Sequence, residues 1–222
     1  MFNTLLYQPI LGLLVFIYKY IAFRDLGLAI ILLTILIRLV LLPFFYKGAK
    51  DQTLMQKIQP LIKKIQEDHK HDKQKQTEAL LALYREHRIN PFSSILLLII
   101  QLPILIALYR VFLTGLTDHA LFDNYKFLAL IDLSQPSFLM VLLATLAQYF
   151  QGRLMLPKMM AGQTDVAQKT NQLMILFLGP ILTLIILIRL PAALGLYWVA
   201  TSIFSAGQQI FINKNLTKQK HE

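Results

Sequence analysis

The sequence predicts an all-α membrane protein with five transmembrane helices, an N-terminal interfacial helix and a cytoplasmic helical hairpin. Three observations carry this. Of 222 residues, 56% are hydrophobic and 15% are charged, whereas a soluble domain of this size carries about 25% charge. Several apolar runs approach or reach the ~20 residues that a bilayer core demands. The basic residues are shared very unevenly among the segments that separate those runs.

Residues 1–26 form the first element. The stretch 3–20 is apolar but interrupted by Gln8, Pro9 and Lys19. Leu5, Leu6, Pro9, Leu13, Phe16, Ile17 and Tyr20 fall near one helical face, with Tyr7, Tyr18 and Lys19 as interfacial groups. This pattern suits a helix lying in the outer membrane surface; a true first span is the alternative. The N-terminus lacks a basic region before its apolar run, so no cleavable signal peptide is expected.

Residues 27–46 (GLAIILLTILIRLVLLPFFY) are the first span. Apart from Thr34 and Arg38 they are apolar, and as a helix they extend roughly 30 Å. Pro43 lies in the last turns, where a kink is tolerable. Arg38 is about eight residues, or ~12 Å, from the far end, and an arginine at that depth costs at least ~2.5–3.5 kcal/mol. None of the twelve Asp and Glu residues lies inside an apolar run. Arg38 therefore has no ion-pair partner within the membrane. It must face water, uncharged polar groups or a ligand that brings the negative charge, which makes it the leading candidate for a functional site.

Residues 47–90 carry ten Lys/Arg against six Asp/Glu. Leu54, Ile58, Leu61, Ile62 and Ile65 repeat at helical spacing, as do Leu80, Leu81 and Tyr84, and residues 69–76 between them are almost wholly polar. The expectation is a helical hairpin with basic wet faces. His69 and His71 lie in its solvated tip with no third ligand and are read as polar residues, not a metal site. Residues 91–113 are the second span, with Gln101 and Pro103 at its centre. An external loop (114–134) leads to the third span (135–151), which contains Gln148 and Gln151. A cytoplasmic loop (152–170) follows. Arg189 and Pro191 then divide the remaining apolar sequence into spans at 171–188 and 192–212, before a tail at 213–222.

Five spans place the hairpin, the 152–170 loop and the tail on one side, with sixteen Lys/Arg; the other side receives four. The positive-inside rule makes the first side cytoplasmic, with the N-terminus outside and the C-terminus in the cytoplasm. The chain has no cysteine, which excludes thiolate metal sites and cysteine nucleophiles. It offers no glycine-rich phosphate loop, no metal-ligand cluster and no acid/base pair within the spans. No cofactor, metal or catalytic residue is expected, nor any specific nucleic-acid readout. The inventory suits weak, reversible binding of something amphipathic and partly acidic.

The first span's TILIRLVLLP (34–43) resembles the arginine-bearing core span of the YidC family of membrane protein insertases. NPFSSILLLIIQLPILIALYRVF (90–112) and PAALGLYWVATSIFSAGQQ (191–209) are similar to that family's distinctive stretches. LLYQPILGLLVFIY (5–18) resembles its interfacial helix. The resemblance implies a five-helix core around a hydrophilic groove, open to the cytoplasm and sideways to lipid. It places Arg38 and Thr34 in that groove, with Gln101 among the uncharged polar groups of the spans and Gln148 or Gln151 supplying an amide from the third span. Leu102, Leu105, Tyr197 and Trp198 match a substrate-contacting slide. The implied activity is membrane protein insertion and chaperoning in the bacterial plasma membrane, alone or with the Sec translocon. Nascent membrane proteins and the lipid bilayer are the implied partners; the short tail does not favour strong ribosome docking. The rival readings are a polytopic transporter or channel, and a non-catalytic structural subunit of a translocon.

Overall fold

A computed structural model describes residues 3–114, 121–156 and 166–218, and the fold is predominantly helical. The middle of the 152–170 loop, part of the external loop and the end of the tail lie outside the described residues. A π-helical turn (Asn3–Tyr7) runs into α1 (Gln8–Tyr20). The helix buries Ile10, Leu14, Ile17 and Tyr18 against the body of the protein, while Leu5, Phe16 and Tyr20 are exposed. The apolar face is thus turned from the one read in the sequence. Tyr18 is not an interfacial group: its ring packs edge-on to Phe122 and its hydroxyl accepts a hydrogen bond from the Asn124 N–H at 3.0 Å.

The segment expected as one span at 27–46 is two helices, α2 (Leu26–Val40) and α3 (Leu42–Lys57), bent by 72° at Leu41. Pro43 explains the break, because it has no N–H to donate to Leu39 and its ring crowds that carbonyl. α3 then continues without interruption past position 46 into the polar region. There α4 (Gln59–Asp68) and α5 (Lys73–Glu86) pair as a hairpin. Its turn occupies only 69–72, since the Asp72 carboxylate accepts from the Lys75 N–H and starts α5 three residues on.

Three further long helices follow: α6 (Ser93–Thr114), α7 (Phe138–Met155) and α8 (Val166–Leu187). α9 (Ala192–Lys218) runs into what the sequence suggested as a tail. Among the described residues, α7 alone is long and apolar enough to cross a membrane, and the bent α2–α3 pair passes the same test together. Ile99–Leu113 and Leu176–Leu187 are shorter apolar stretches.

The main apolar core lies at one end of the bundle. It joins α1, the first two turns of α2, the C-terminal half of α6, the start of α7 and the start of α9. A short antiparallel ribbon, β1 (Lys126–Phe127) with β2 (Ile131–Asp132), covers this end. Asp25 ties it down: one carboxylate oxygen caps the Leu28 N–H of α2 and the other accepts from Leu128. Phe127 packs against Gly27, where any Cβ would collide with the ring. The first two N–H groups of α9, Ala192 and Ala193, donate to the Gln135 and Leu133 carbonyls, which pairs two donors that a helix start otherwise leaves open. The result is a closed end.

Candidate functional site

The apolar core stops at the level of Arg38, and a partly open cavity of about 340 Å³ begins there. α2 contributes Arg38, and α3 contributes Phe45, Ala49 and Gln52. α6 supplies Gln101 and Leu105; α7 supplies Gln148, Gln151 and Met155. α9 provides a whole face: Tyr197, Trp198, Thr201, Ser202, Ser205 and Gln208.

Arg38 is 8% exposed. Among the described residues no carboxylate pairs with it; its guanidinium carbon instead lies 4.4 Å from the centroid of the Phe45 ring. The break at Leu41 also makes Arg38 a last-turn residue of α2. A helix C-terminus carries partial negative charge from its unpaired carbonyls and favours a cation, by up to ~2 kcal/mol when partly buried. Ring face and helix end together offset part of the desolvation of the guanidinium, and Arg38 lines the cavity.

The polar neighbours are tightly organised. The Gln101 amide donates to the Tyr197 hydroxyl, fixing α6 to α9. The Gln148 carbonyl accepts from Trp198 Nε1 at 3.0 Å and from the Thr183 hydroxyl, so three helices meet on one amide. Gly179 permits this approach, because a Cβ there would lie 2.9 Å from Gln148 Nε2. Gln148 and Gln151 both line the cavity, Gln148 held by these bonds and Gln151 nearer the Met155 end of α7.

Arg38, Gln101, Gln148, Gln151, Leu105, Tyr197 and Trp198 are therefore brought together. Thr34 is not a lining residue: it is buried in the core one turn below Arg38, and its hydroxyl donates to the Ile30 carbonyl at 2.7 Å. Leu102 is exposed on the outer face of α6 and also lies off the cavity. Sequence reasoning missed Gln52, Thr201, Ser202, Ser205 and Gln208. Positions 197, 198, 201, 205 and 208 recur at helical spacing, so the α9 stripe was legible as a polar face. Gln52 falls in the 47–90 segment expected as a hairpin, and it is α3, beyond the bend from α2, that brings it to the site.

Two polar ties hold α3 to its neighbours. The Ser93 hydroxyl donates to the buried Asp51 carboxylate, joining α3 to the start of α6. Gln209 Nε2 donates to Thr53 Oγ1 at 2.9 Å and to Asn213 Oδ1 at 3.0 Å, joining α3 to α9.

Comparison with known proteins agrees with this architecture. A family model described as 60Kd inner membrane protein matches residues 16–220. The chain is 39% identical over 197 residues to the membrane protein insertase YidC of Clostridium tetani, covering 88% of this chain and 84% of that one. It is 34% identical over 196 residues to the membrane protein insertase YidC of Fusobacterium nucleatum, covering 88% and 89%. Among solved structures it is similar to an active YidC insertase with its first transmembrane domain resolved. That match has a TM-score of 0.63 and 28% identity, and covers 93% of this chain and 45% of the other.

Proposed function

This chain belongs to the YidC family of membrane protein insertases, and from that premise we propose that it inserts nascent membrane proteins into the bacterial inner membrane through the Arg38 cavity. It acts as an insertase, not as an enzyme. The carrying observation is a buried cation with no carboxylate partner among the described residues, facing a cavity otherwise lined by neutral polar and apolar side chains.

In this reading five segments span the bilayer, the N-terminus is outside, and the α4–α5 hairpin is cytoplasmic. The cavity opens towards the hairpin, and the ribbon-covered core closes the outer end. A short hydrophilic segment of the substrate enters the cavity, where Arg38 balances its acidic groups. Polar groups moved into this site keep hydrogen-bond partners, so they avoid the several kcal/mol that each unpaired group costs in hydrocarbon. The substrate's apolar helix then partitions into lipid, driven by hydrophobic transfer. The contact between α6 and α9 is narrow beside the broad packing of α9 on α7 and α2, which supports lateral exit past Leu105, Leu102, Tyr197 and Trp198. Sec translocon and ribosome are partners in this scheme, not requirements of the chemistry.

The test is site-specific photocrosslinking with ribosome-bound substrate chains. A photoreactive residue at Leu105 should capture the nascent chain, and one at exposed Phe150 on α7 should not. Capture at Phe150 equal to that at Leu105 would remove the cavity from the route.

A further inference from the structure

Along α9 the cavity-facing positions run from Tyr197 to Gln208, eleven helical steps or ~16 Å of helix axis. Beyond the two aromatic residues they are Thr201, Ser202, Ser205 and Gln208, a face of hydroxyls and one amide. Apart from Arg38, no charged side chain lines the cavity among the described residues. Gln208 Oε1 is buried and has no hydrogen-bond partner among the described residues. Its neighbour Gln209 points elsewhere and uses its amide in two bonds. A buried, unpaired acceptor costs about 1–3 kcal/mol of stability, and because Gln208 lines the cavity, rotation of its amide into that space would let a donor from outside the chain satisfy it.

An extended main chain offers donors and acceptors in such a row. An extended polypeptide rises ~3.3 Å per residue, so groups on one edge of it repeat every ~6.6 Å. Thr201 and Ser205 are separated by ~6 Å along the helix axis, and Ser205 and Gln208 by ~4.5 Å. Hydroxyls both donate and accept, and an amide side chain does the same through its two ends. A neutral row of this kind cannot choose among side-chain charges, but it can pair with main-chain N–H and C=O groups of any sequence.

We propose that the Thr201–Ser205–Gln208 row of α9 is a main-chain track: a sequence-independent subsite for about four residues of extended substrate polypeptide, matching its ~10 Å length. It is separate from the charge-selective subsite at Arg38. The inference rests on the insertase reading and divides its cavity into two parts with different selectivity.

The experiment uses the full chain reconstituted in liposomes and two single-span substrates. Their translocated segments have equal length; one is acidic and the other neutral. Insertion is read by protease protection for wild type, Gln208→Met, Ser205→Ala and Arg38→Ala. Loss of one main-chain hydrogen bond predicts a fall of about two- to tenfold, equal for both substrates, in Gln208→Met and Ser205→Ala. Because Gln208→Met removes an unpaired acceptor, its thermal midpoint in detergent should rise while insertion falls, a combination that a structural role would not produce. Unchanged insertion, or a loss confined to the acidic substrate, overturns the track. Arg38→Ala separates the two readings: if it spares acidic substrates while Gln208→Met impairs both, the charge site fails and the track stands. Wild-type insertion no better than empty liposomes overturns both.

Discussion

Arg38 and Phe45 lie seven residues apart, yet the guanidinium carbon of one is 4.4 Å from the ring centroid of the other. In a straight helix their Cα atoms would be separated by ~10 Å along the axis; the 72° bend at Leu41 folds the ring back over the cation. Such a contact is worth from ~0.5 to 2 kcal/mol when desolvated, and it fixes where the charge points. Phe45→Leu should lower insertion of acidic substrates several-fold and leave neutral ones near wild type, whereas Phe45→Tyr should retain activity. Paired insertion assays with the two substrates check this; a Leu variant indistinguishable from wild type would show that the ring does not position the arginine.

The closed end predicts a steric effect. Gly27 has no room for a Cβ beside Phe127, so Gly27→Ala must displace the ribbon or the ring, at about 1–3 kcal/mol for an overpacked site. The double variant Gly27→Ala, Phe127→Ala should recover part of that loss. Thermal midpoints of the two singles and the double give the coupling, and strict additivity would contradict the close packing.

Trp198 is the chain's single tryptophan, so its fluorescence reports on the cavity alone. Gln148→Leu removes the acceptor of the indole N–H and leaves that donor unpaired, costing about 1–3 kcal/mol. The emission maximum should shift, and an acidic peptide should quench or shift wild-type emission more than that of Arg38→Ala. Identical spectra with and without peptide in both proteins would place the ligand away from this wall.

The Asp51–Ser93 bond predicts how the hairpin is held. Ser93→Ala leaves a buried carboxylate without this donor and should loosen α3 from α6, raising hydrogen exchange in residues 47–57. Asp51→Asn keeps an acceptor and should be milder than Asp51→Ala. Exchange unchanged in every variant would mean that apolar packing alone anchors the segment.

The contrast between Arg38 and Asp51 explains what was legible in the sequence. Arg38 stands out because its neighbours are apolar, so its chemistry is anomalous within twenty residues. Asp51 sits in a locally polar stretch, and its burial depends on Ser93, 42 positions away. The same limit applies to Tyr18, whose environment is supplied by Phe122 and Asn124. Pro43 signals a disturbance in the first span, but α3 beyond the bend packs on α6 and α9, which lie far along the chain. Leu102 and Leu105 show the remaining gap: both are apolar residues of one helix, and only the position of α9 decides that Leu105 meets the cavity.

The most direct measurement is insertion of an acidic single-span substrate into liposomes containing the purified protein, comparing wild type with Arg38→Ala and Arg38→Lys by protease protection. The account predicts insertion well above empty liposomes, a loss of at least tenfold in Arg38→Ala, and partial recovery in Arg38→Lys, which keeps the charge without the guanidinium fork. Equal insertion by wild type and Arg38→Ala would contradict it.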